Sequence, residues 1–475
     1  MEVAMSDIAL LLLSLTSCFL FLYLITNLFP TRKSQSTSSG KQLLPPGKTD
    51  WPFFSETLDF YSKYQKNVVQ KFVMERCKRY SSKIFKTSLI GQPVIVISGA
   101  EGNKFLFSNQ TDLFKHWFPS SIDKLFPNTN EVLADVSKVQ AMRKFLTSIL
   151  KGDALREHVR ILDATIKQQL HTDDWNGEQV IKVGEMSRRY SFATGCKIFL
   201  GIEDQKKVDG LEELIKLILI GLTSIPINFP GTAFHRAMKS SKKVFKQIDA
   251  EIRQRKIEYN MGDQAASSGA RNDFVSYLVQ STRDHGLFLT DVQIATLLTG
   301  LLIGSYWGIH ATITNVFKHL ADFPQVYDLV LKEQEEISSS KGANETLQWE
   351  DVRKMKYSWK VVCETLRLFP TEVGGFKEAI TDFNYEGYTI PQGWKIHWNI
   401  NATHHNPEYF PNPEKFDPSR FEGDGPAPYA FVPFGGGVRM CPGNEYARSA
   451  ILIFLHNVVT NPVGKKTFPV NRINA

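Results

Sequence analysis

The pattern of apolar residues separates a short N-terminal segment from the rest of the chain. Residues 8–29 contain no charged side chain and are dominated by Leu, Ile and Phe. A helix of this length spans about 33 Å, which is enough for a hydrocarbon core of about 30 Å. The acidic residues Glu2 and Asp7 precede the segment, and basic residues follow it at Arg32, Lys33 and Lys41. The positive-inside rule then predicts a membrane anchor at residues 1–29, with the remaining chain in the cytosol.

A cleaved signal peptide is the alternative to a retained anchor, but its apolar core is usually only about 7–15 residues long. Residues 30–48 form a polar segment that ends in the proline-rich sequence 43–47. Paired prolines favour an extended chain and cannot continue a helix. We therefore predict a linker at residues 30–48 and a single large domain at residues 49–475.

The hydrophobic pattern of this domain predicts more helix than strand. The Val/Ile-rich residues 92–98 lie between two glycines and predict a strand, and residues 384–398 predict two extended runs around a Pro-Gln-Gly turn. Residues 262–273 predict a polar loop. Periodic apolar positions predict long helices at residues 137–169, 234–257, 324–337 and 350–368.

One further helix is apolar on nearly all sides. Thr290 and Gln293 are spaced as in a capping box, and no charged side chain occurs between Asp291 and Lys318. Several Thr, Ser, His and Asn residues make this segment a poor lipid span. We therefore predict a helix that passes through the middle of a large core.

Composition excludes several classes of protein. The 475 residues are 42% hydrophobic and 22% charged, which excludes a disordered, collagen-like or coiled-coil chain. The net charge of +7 comes from scattered Lys and Arg residues, so we expect no nucleic-acid partner. Five cysteines without a Cys-x-x-Cys pair argue against a disulfide framework or a structural zinc site, and they favour a reducing compartment.

The sharpest candidate for chemistry is Cys441, which ends the sequence Phe-Gly-Gly-Gly-Val-Arg-Met-Cys. A lone cysteine is commonly a small buried apolar residue. Here, however, glycines allow the backbone to approach a large flat ligand. Arg439 and a predicted helix start beyond Gly443 favour a thiolate. A thiolate held in this way is an axial ligand for haem iron.

These residues resemble the haem-binding signature of the cytochrome P450 superfamily. The matching positions are Phe434, Gly437, Arg439, Cys441 and Gly443. Residues 364–367 resemble the Glu-x-x-Arg motif of that family, and residues 416–421 resemble its PERF region. The resemblance implies that Cys441 binds the haem iron. It also implies a buried ion network formed by Glu364, Arg367 and Arg420.

Residues 45–52, 102–109, 354–359 and 431–448 are similar to the plant branch that oxidises triterpenes such as amyrins. This resemblance implies a mainly α fold with a small β region, haem b and a large apolar substrate. It also implies electrons from NADPH-cytochrome P450 reductase, at a single-pass endoplasmic reticulum membrane with the catalytic domain in the cytosol. Lys377 stands where the family places a propionate-binding arginine. Arg439, and less strongly Arg143, are expected to contact the propionates as well.

The central helix departs from the family pattern. The stretch that matches the oxygen-activation motif is Gly304-Ser305-Tyr306-Trp307-Gly308, so Trp307 replaces the acid and Gly308 replaces the alcohol. A positioned proton donor contributes about 10²–10⁴-fold to a rate. We therefore expect slow and poorly coupled oxygen activation. We also expect His310 to lie in packed core rather than to relay protons.

The chain stops at Ala475, before the strand pair with which the family normally ends, so we expect incomplete pocket closure. These departures leave two alternatives to a monooxygenase. The first is a non-catalytic or severely impaired haem-binding membrane protein. The second is a peroxide-rearranging enzyme such as an allene oxide synthase, which needs no acid–alcohol pair. The standard length of the cysteine loop disfavours the second.

Overall fold

The computed structural model describes residues 43–49, 56–66, 68–172, 182–261, 273–284, 289–342 and 345–461. The predicted membrane anchor lies outside these residues. So do most of the predicted linker and nearly all of the predicted polar loop at 262–273.

Helices dominate the described residues, in agreement with the hydrophobic pattern. Those of the first half are α1 (Glu56–Gln65), α2 (Val69–Tyr80), α3 (Ala100–Ser108), α4 (Ser120–Leu125), α5 (Thr129–Ala134), α6 (Val136–Leu150), α7 (Gly152–Thr172), α8 (Val183–Gly195) with a π-helical turn (Cys196–Leu200), and α9 (Gln205–Leu222). Those of the second half are α10 (Ala233–Met261), α11 (Phe274–Asp284), α12 (Asp291–Asp322), α13 (Pro324–Ser339), α14 (Trp349–Lys354), α15 (Lys356–Leu368), α16 (Ile400–His404) and α17 (Asn444–Thr460). Short 3₁₀ turns occur at Pro418–Phe421 and Gly437–Arg439.

The β region is small. Its strands are β1 (Ile84–Leu89), β2 (Gln92–Ile97), β3 (Phe114–His116), β4 (Gly374–Ala379), β5 (Phe383–Tyr385), β6 (Tyr388–Ile390) and β7 (Lys395–Asn399). The larger sheet has the order β1-β2-β7-β4-β3, and β5 pairs with β6. The predicted strand at 92–98 and the two runs around the Pro-Gln-Gly turn are therefore confirmed as β2, β6 and β7.

The sheet fixes one register that matters for the site. β4 is antiparallel to both β3 and β7, and it places Lys377 opposite His116 on one side and Ile396 on the other. Two basic side chains from distant parts of the sequence are thus held next to each other.

Two of the predicted long helices are interrupted. The stretch 137–169 divides into α6 and α7 at Gly152, whose φ of +63° is readily adopted only by glycine. The stretch 350–368 divides into α14 and α15 at the buried Met355. The apolar periodicity continues across both interruptions, so the pattern alone could not reveal them.

Helix α12 crosses the main core, as predicted. Its capping box is formed: Gln293 N donates to Thr290 Oγ1 at 3.3 Å, and Thr290 N donates to Gln293 Oε1 at 3.0 Å. Among the described residues it is the helix that is long and apolar enough to cross a membrane. Half of its most apolar 18-residue stretch, however, is buried within the fold. Phe317 packs edge-on against Phe454 of α17 at 5.8 Å. This burial supports a core helix rather than a lipid span.

Candidate functional site

Cys441 lies on a loop that enters α17. Cys441 N donates a hydrogen bond to Phe434 O at 2.8 Å, which closes the loop. Gly437 has a φ of +65°, and a Cβ there would overlap the carbonyl of Phe107 in α3. A Cβ at Gly436 would overlap the Phe107 ring. The glycines therefore allow close packing against α3, and this packing fixes the position of the cysteine.

The Cys441 side chain is exposed to an open space, although protein atoms surround its thiol closely enough to affect its pKa. Burial is the largest influence and raises its pKa, while the Gly443 backbone N–H and Arg143 partly oppose this shift. The local sequence led us to expect a thiolate beside Arg439, but the cation that acts on the sulfur is Arg143 from α6. A metal ion bound to the sulfur would stabilise the thiolate, since coordination deprotonates a thiol outright.

Three cations converge near this loop: Arg143 from α6, Lys377 from β4 and Arg439 from the 3₁₀ turn. Burial and the charge of Arg439 lower the pKa of Lys377 to about 8. Burial and Arg143 lower the pKa of Arg439. Burial lowers the pKa of His116 to about 3, and all three cations contribute to this shift.

None of the three forms an ion pair with a residue that the structure describes. Converging cations without a protein anion are costly to bury, so this cluster suits an anionic ligand. The two propionates of haem would satisfy it through charge-assisted hydrogen bonds. Together with the sulfur of Cys441, the cluster fits haem.

The Glu-x-x-Arg motif forms a fully buried ion pair. Arg367 Nε lies 2.7 Å from Glu364 Oε2, and Arg367 Nη2 donates to Glu364 Oε1 at 2.9 Å. The remaining arginine donors contact the carbonyls of His404 at 2.8 Å and Pro413 at 2.7 Å. Both charges are therefore compensated by close, well-aligned partners, as a buried pair requires.

Arg420 joins this pair from the 3₁₀ turn Pro418–Phe421. Its Nε lies 3.4 Å from Glu364 Oε1, and its Nη2 donates to Asn412 O at 3.0 Å. Asp417 N also donates to Glu364 Oε1, at 2.9 Å. The structure thus brings together all three residues of the network predicted from the resemblance.

The face of α12 that carries the altered oxygen-activation motif has few close neighbours among the described residues. Gly300, Gly304 and Gly308 recur every four residues and so share one face. A Cβ built on Gly300 or Gly304 meets no described atom within 4 Å, and one on Gly308 meets Thr371 Oγ1 at 4.0 Å. The neighbouring Trp307 is 45% exposed although it lies in the middle of the helix. We call Gly300, Gly304 and Gly308 the glycine face.

Other polar side chains of α12 are engaged elsewhere. His310 Nδ1 lies 3.0 Å from Ser187 Oγ of α8, and burial and the charge of Arg188 lower the pKa of His310. Thr312 Oγ1 donates to Gly308 O at 2.7 Å, and Ser305 Oγ donates to Leu302 O at 3.0 Å. His310 is half-buried and hydrogen-bonded to α8, and the expectation that it does not relay protons stays a prediction. None of these side chains restores a donor on the glycine face.

Thr371 and Glu372 lie between α15 and β4 and were not predicted from the sequence as site residues. The Glu372 side chain is exposed to open space, yet the surrounding protein raises its pKa to about 7 through burial. The sequence held one signal, because Glu372 is an acid within the apolar run from Leu368 to Val373.

Comparison with known proteins identifies relatives of this architecture. The family model described as Cytochrome P450 matches residues 45–461. A beta-amyrin 28-monooxygenase from Vitis vinifera is 44% identical over 467 residues, which cover 98% of this chain and 95% of the relative. A beta-amyrin 16-beta-monooxygenase from Platycodon grandiflorus is 43% identical over 437 residues, covering 92% of this chain and 90% of the relative.

Among solved structures, retinoic acid bound cyanobacterial CYP120A1 is similar, with a TM-score of 0.76 and 27% sequence identity. The match covers 88% of this chain and 92% of the solved chain. The mainly helical fold with a small β region, predicted from the sequence, is confirmed by this match.

Proposed function

This chain belongs to the cytochrome P450 family and is a monooxygenase, and we propose that it oxidises a triterpene of the amyrin class. The observation that carries the proposal is the near-complete alignment with amyrin monooxygenases. A cysteine and a cation cluster that has no ion-pair partner among the described residues also fit haem. The relatives act on positions 28 and 16-beta of one scaffold. We therefore propose the scaffold and leave the oxidised carbon to experiment.

Haem would be held by residues from four parts of the fold. When bound, the haem supplies the iron at which O₂ is activated. Cys441 would bind that iron through Sγ, and Arg143, Lys377 and Arg439 would bind the propionates. Phe434, Gly437 and Gly443 would shape the loop around the sulfur. Glu364, Arg367 and Arg420 would hold the surrounding core.

The glycine face supports a bulky, rigid substrate. Because Gly300 and Gly304 leave more than 4 Å of open space where a Cβ would stand, a ring system can lie close to the helix backbone. Fused rings also lose little conformational entropy on binding. A polycyclic hydrocarbon with few polar groups is the ligand class that fits this wall.

An exposed apolar surface supports a position against a membrane. Ile220, Ile225, Ile227 and Phe229, around the end of α9, are each more than half exposed, and so is Leu58 of α1. Tyr61 Oη donates to Thr223 O at 3.0 Å and ties α1 to this segment. A contiguous apolar surface of this kind favours contact with lipid or a partner.

We place residues 1–29 as the anchor in the endoplasmic reticulum membrane, 30–48 as the linker and 49–475 as the cytosolic haem-thiolate domain. NADPH-cytochrome P450 reductase would supply the electrons.

The proposal is tested with microsomes that contain the full chain, the reductase and β-amyrin, supplied with NADPH and ¹⁸O₂. We expect a product that carries one ¹⁸O atom and requires NADPH, with Cys441→Ala microsomes as the control. Absence of any oxygenated triterpene, despite a normal reduced-CO spectrum, would favour a non-catalytic haem protein. Conversion of a hydroperoxide without NADPH would favour a peroxide-rearranging enzyme.

A further inference from the structure

The central helix lacks a proton donor at the point where a monooxygenase needs one. Oxygenation incorporates one atom of O₂ into the substrate and releases the other as water. It consumes two electrons, which NADPH supplies through the reductase, and two protons. Trp307 has an indole side chain and Gly308 has no side chain beyond a hydrogen atom, so neither residue can act as an acid.

We propose that Thr371 and Glu372, on the loop between α15 and β4, supply from the opposite wall the hydroxyl and carboxyl that Gly308 and Trp307 lack. This inference rests on the proposed monooxygenase function. It assigns a role to residues outside the motifs that the sequence analysis identified.

The position of Thr371 is the first support. Thr371 Oγ1 is the described atom that comes within 4.0 Å of a Cβ built on Gly308. A threonine at position 308 would carry its own hydroxyl one bond away from that Cβ. The Thr371 hydroxyl therefore lies within a few ångströms of the place where the family's alcohol would stand.

The loop that carries both residues is fixed at each end. On the α15 side, Phe369 N donates to Thr365 O at 2.8 Å, and Pro370 restricts the backbone. On the β4 side, Ile400 N donates to Val373 O at 3.0 Å, and Gly374 pairs with Asn399 of β7. A site held between a helix end and a sheet keeps its groups in position, which proton transfer requires.

The surroundings of Glu372 are the second support. No residue that the structure describes forms a hydrogen bond or an ion pair with its carboxyl, and burial alone shifts its pKa, to about 7. The titratable neighbour on α1 is Tyr64, whose pKa is raised by burial and by the charge of Glu372. Helix α12 presents no titratable group at Gly304, Trp307 or Gly308. An isolated acid that titrates near neutral pH is suited to proton donation.

The proton path has two steps. The Glu372 carboxyl donates to the Thr371 hydroxyl, directly or through one water, and the hydroxyl passes its own proton to the oxygen atom that leaves as water. Solvent then reprotonates Glu372. The two residues act in series, so loss of either should disable the path.

The test uses full-length holoprotein with reductase and compares Glu372→Gln, Thr371→Val and the double variant. Each variant should form at least about tenfold less product per NADPH and correspondingly more hydrogen peroxide, because a positioned acid contributes about 10²–10⁴-fold. The double variant should be no worse than either single variant, because the residues act as a unit. Glu372→Asp and Thr371→Ser should recover part of the coupling. Exposed Glu350→Gln is the matched control.

Two readouts separate proton delivery from a structural role. Product formation driven by added hydrogen peroxide should stay within about twofold of wild type, because peroxide brings the protons with it. An infrared carboxyl band that titrates near pH 7 should be present in wild type and Glu350→Gln and absent in Glu372→Gln. Neither readout depends on NADPH turnover.

The inference is overturned if Glu372→Gln remains tightly coupled, or if the titrating band persists in that variant. A parallel loss of peroxide-driven product and of substrate affinity would overturn it in favour of substrate binding. If wild type forms no triterpene product with either oxidant, the proposed function fails. The carboxyl band and the peroxide released per NADPH would then still decide whether Glu372 moves protons.

Discussion

The cysteine side and the glycine face of this protein are built in different ways. On the side of the Cys441 loop and the Glu-x-x-Arg pair, hydrogen bonds hold the motif residues: Cys441 N donates to Phe434 O, and Arg367 contacts Glu364 and two backbone carbonyls. On the glycine face, Gly300 and Gly304 have no described neighbour within 4 Å of a Cβ position. Contacts fix the positions of the residues around Cys441 and Arg367, whereas the glycine face borders open space.

This difference explains why the two sides tolerate change differently. A residue with many buried partners cannot be replaced without leaving some of them unsatisfied. A group that acts into an open space can be supplied by any element that borders that space. The acid–alcohol pair can therefore leave α12 while the cysteine loop and the Glu-x-x-Arg pair stay as the family has them.

The largest expected effect is on the cysteine side. Cys441→Ala should abolish the reduced-CO band that is typical of a thiolate-bound haem, because Cys441 is the cysteine on the glycine-rich loop beside Arg143. Absorption spectroscopy of membranes checks this. The control is Cys77→Ala, since Cys77 lies 3.4 Å from Ser98 Oγ on a different part of the surface. A retained band in Cys441→Ala would disprove the ligand assignment.

The second effect concerns the buried ion pair. Glu364→Ala or Arg367→Ala should yield little folded holoprotein, because removing one partner of a buried pair costs about 3–5 kcal/mol. Haem content per milligram of protein measures the outcome. The matched control is the exposed pair of Arg156 with Asp153, which are 3.2 Å apart. Arg156→Ala should change the free energy of unfolding by about 0.5 kcal/mol or less. Wild-type haem content in Arg367→Ala would contradict this prediction.

The third effect tests the cation cluster. Lys377→Met should speed haem loss about tenfold or more, because a hydrogen bond to a charged group contributes about 1.5–3 kcal/mol. Transfer of haem to an acceptor protein gives the rate. Lys377→Arg should retain haem, since it keeps the charge and adds a bidentate fork. The control is Lys115→Met on the adjacent strand, where Lys115 already pairs with Glu378 at 2.9 Å. Equal rates for Lys377→Met and wild type would remove Lys377 from the propionate site.

The smallest expected effect concerns proton donation at the glycine face. Restoring the helix pair with Trp307→Asp and Gly308→Thr should raise product per NADPH severalfold in a Glu372→Gln background. The same pair should add little to the wild type, where Glu372 already donates. Product and NADPH are measured in one assay. An equal gain in both backgrounds would mean that the loop contributes nothing to proton delivery.

Several features were readable from the sequence because they depend on neighbouring residues. The capping box of α12, the strand β2 and the loop around Cys441 each lie within about ten residues, and local rules describe them well. The breaks at Gly152 and Met355 were not readable, since the hydrophobic pattern crosses them unchanged. That Arg143 rather than Arg439 is the cation acting on the Cys441 sulfur was not readable either, because Arg143 is far from Cys441 in the sequence.

The sequence by itself determined the helical fold class, the Glu-x-x-Arg pair, the glycine-rich cysteine loop that we assign to haem, and the presence of Trp307 and Gly308 in α12 where we expect an acid and an alcohol. These are statements about residue identity at fixed spacing. Only the tertiary structure decided that Arg143 acts on the cysteine, that Lys377 forms no ion pair with a described residue, and that Thr371 faces Gly308. The physical reason is that charge, burial and contact depend on distances through space, and the packing of helices and strands that are far apart in sequence sets those distances.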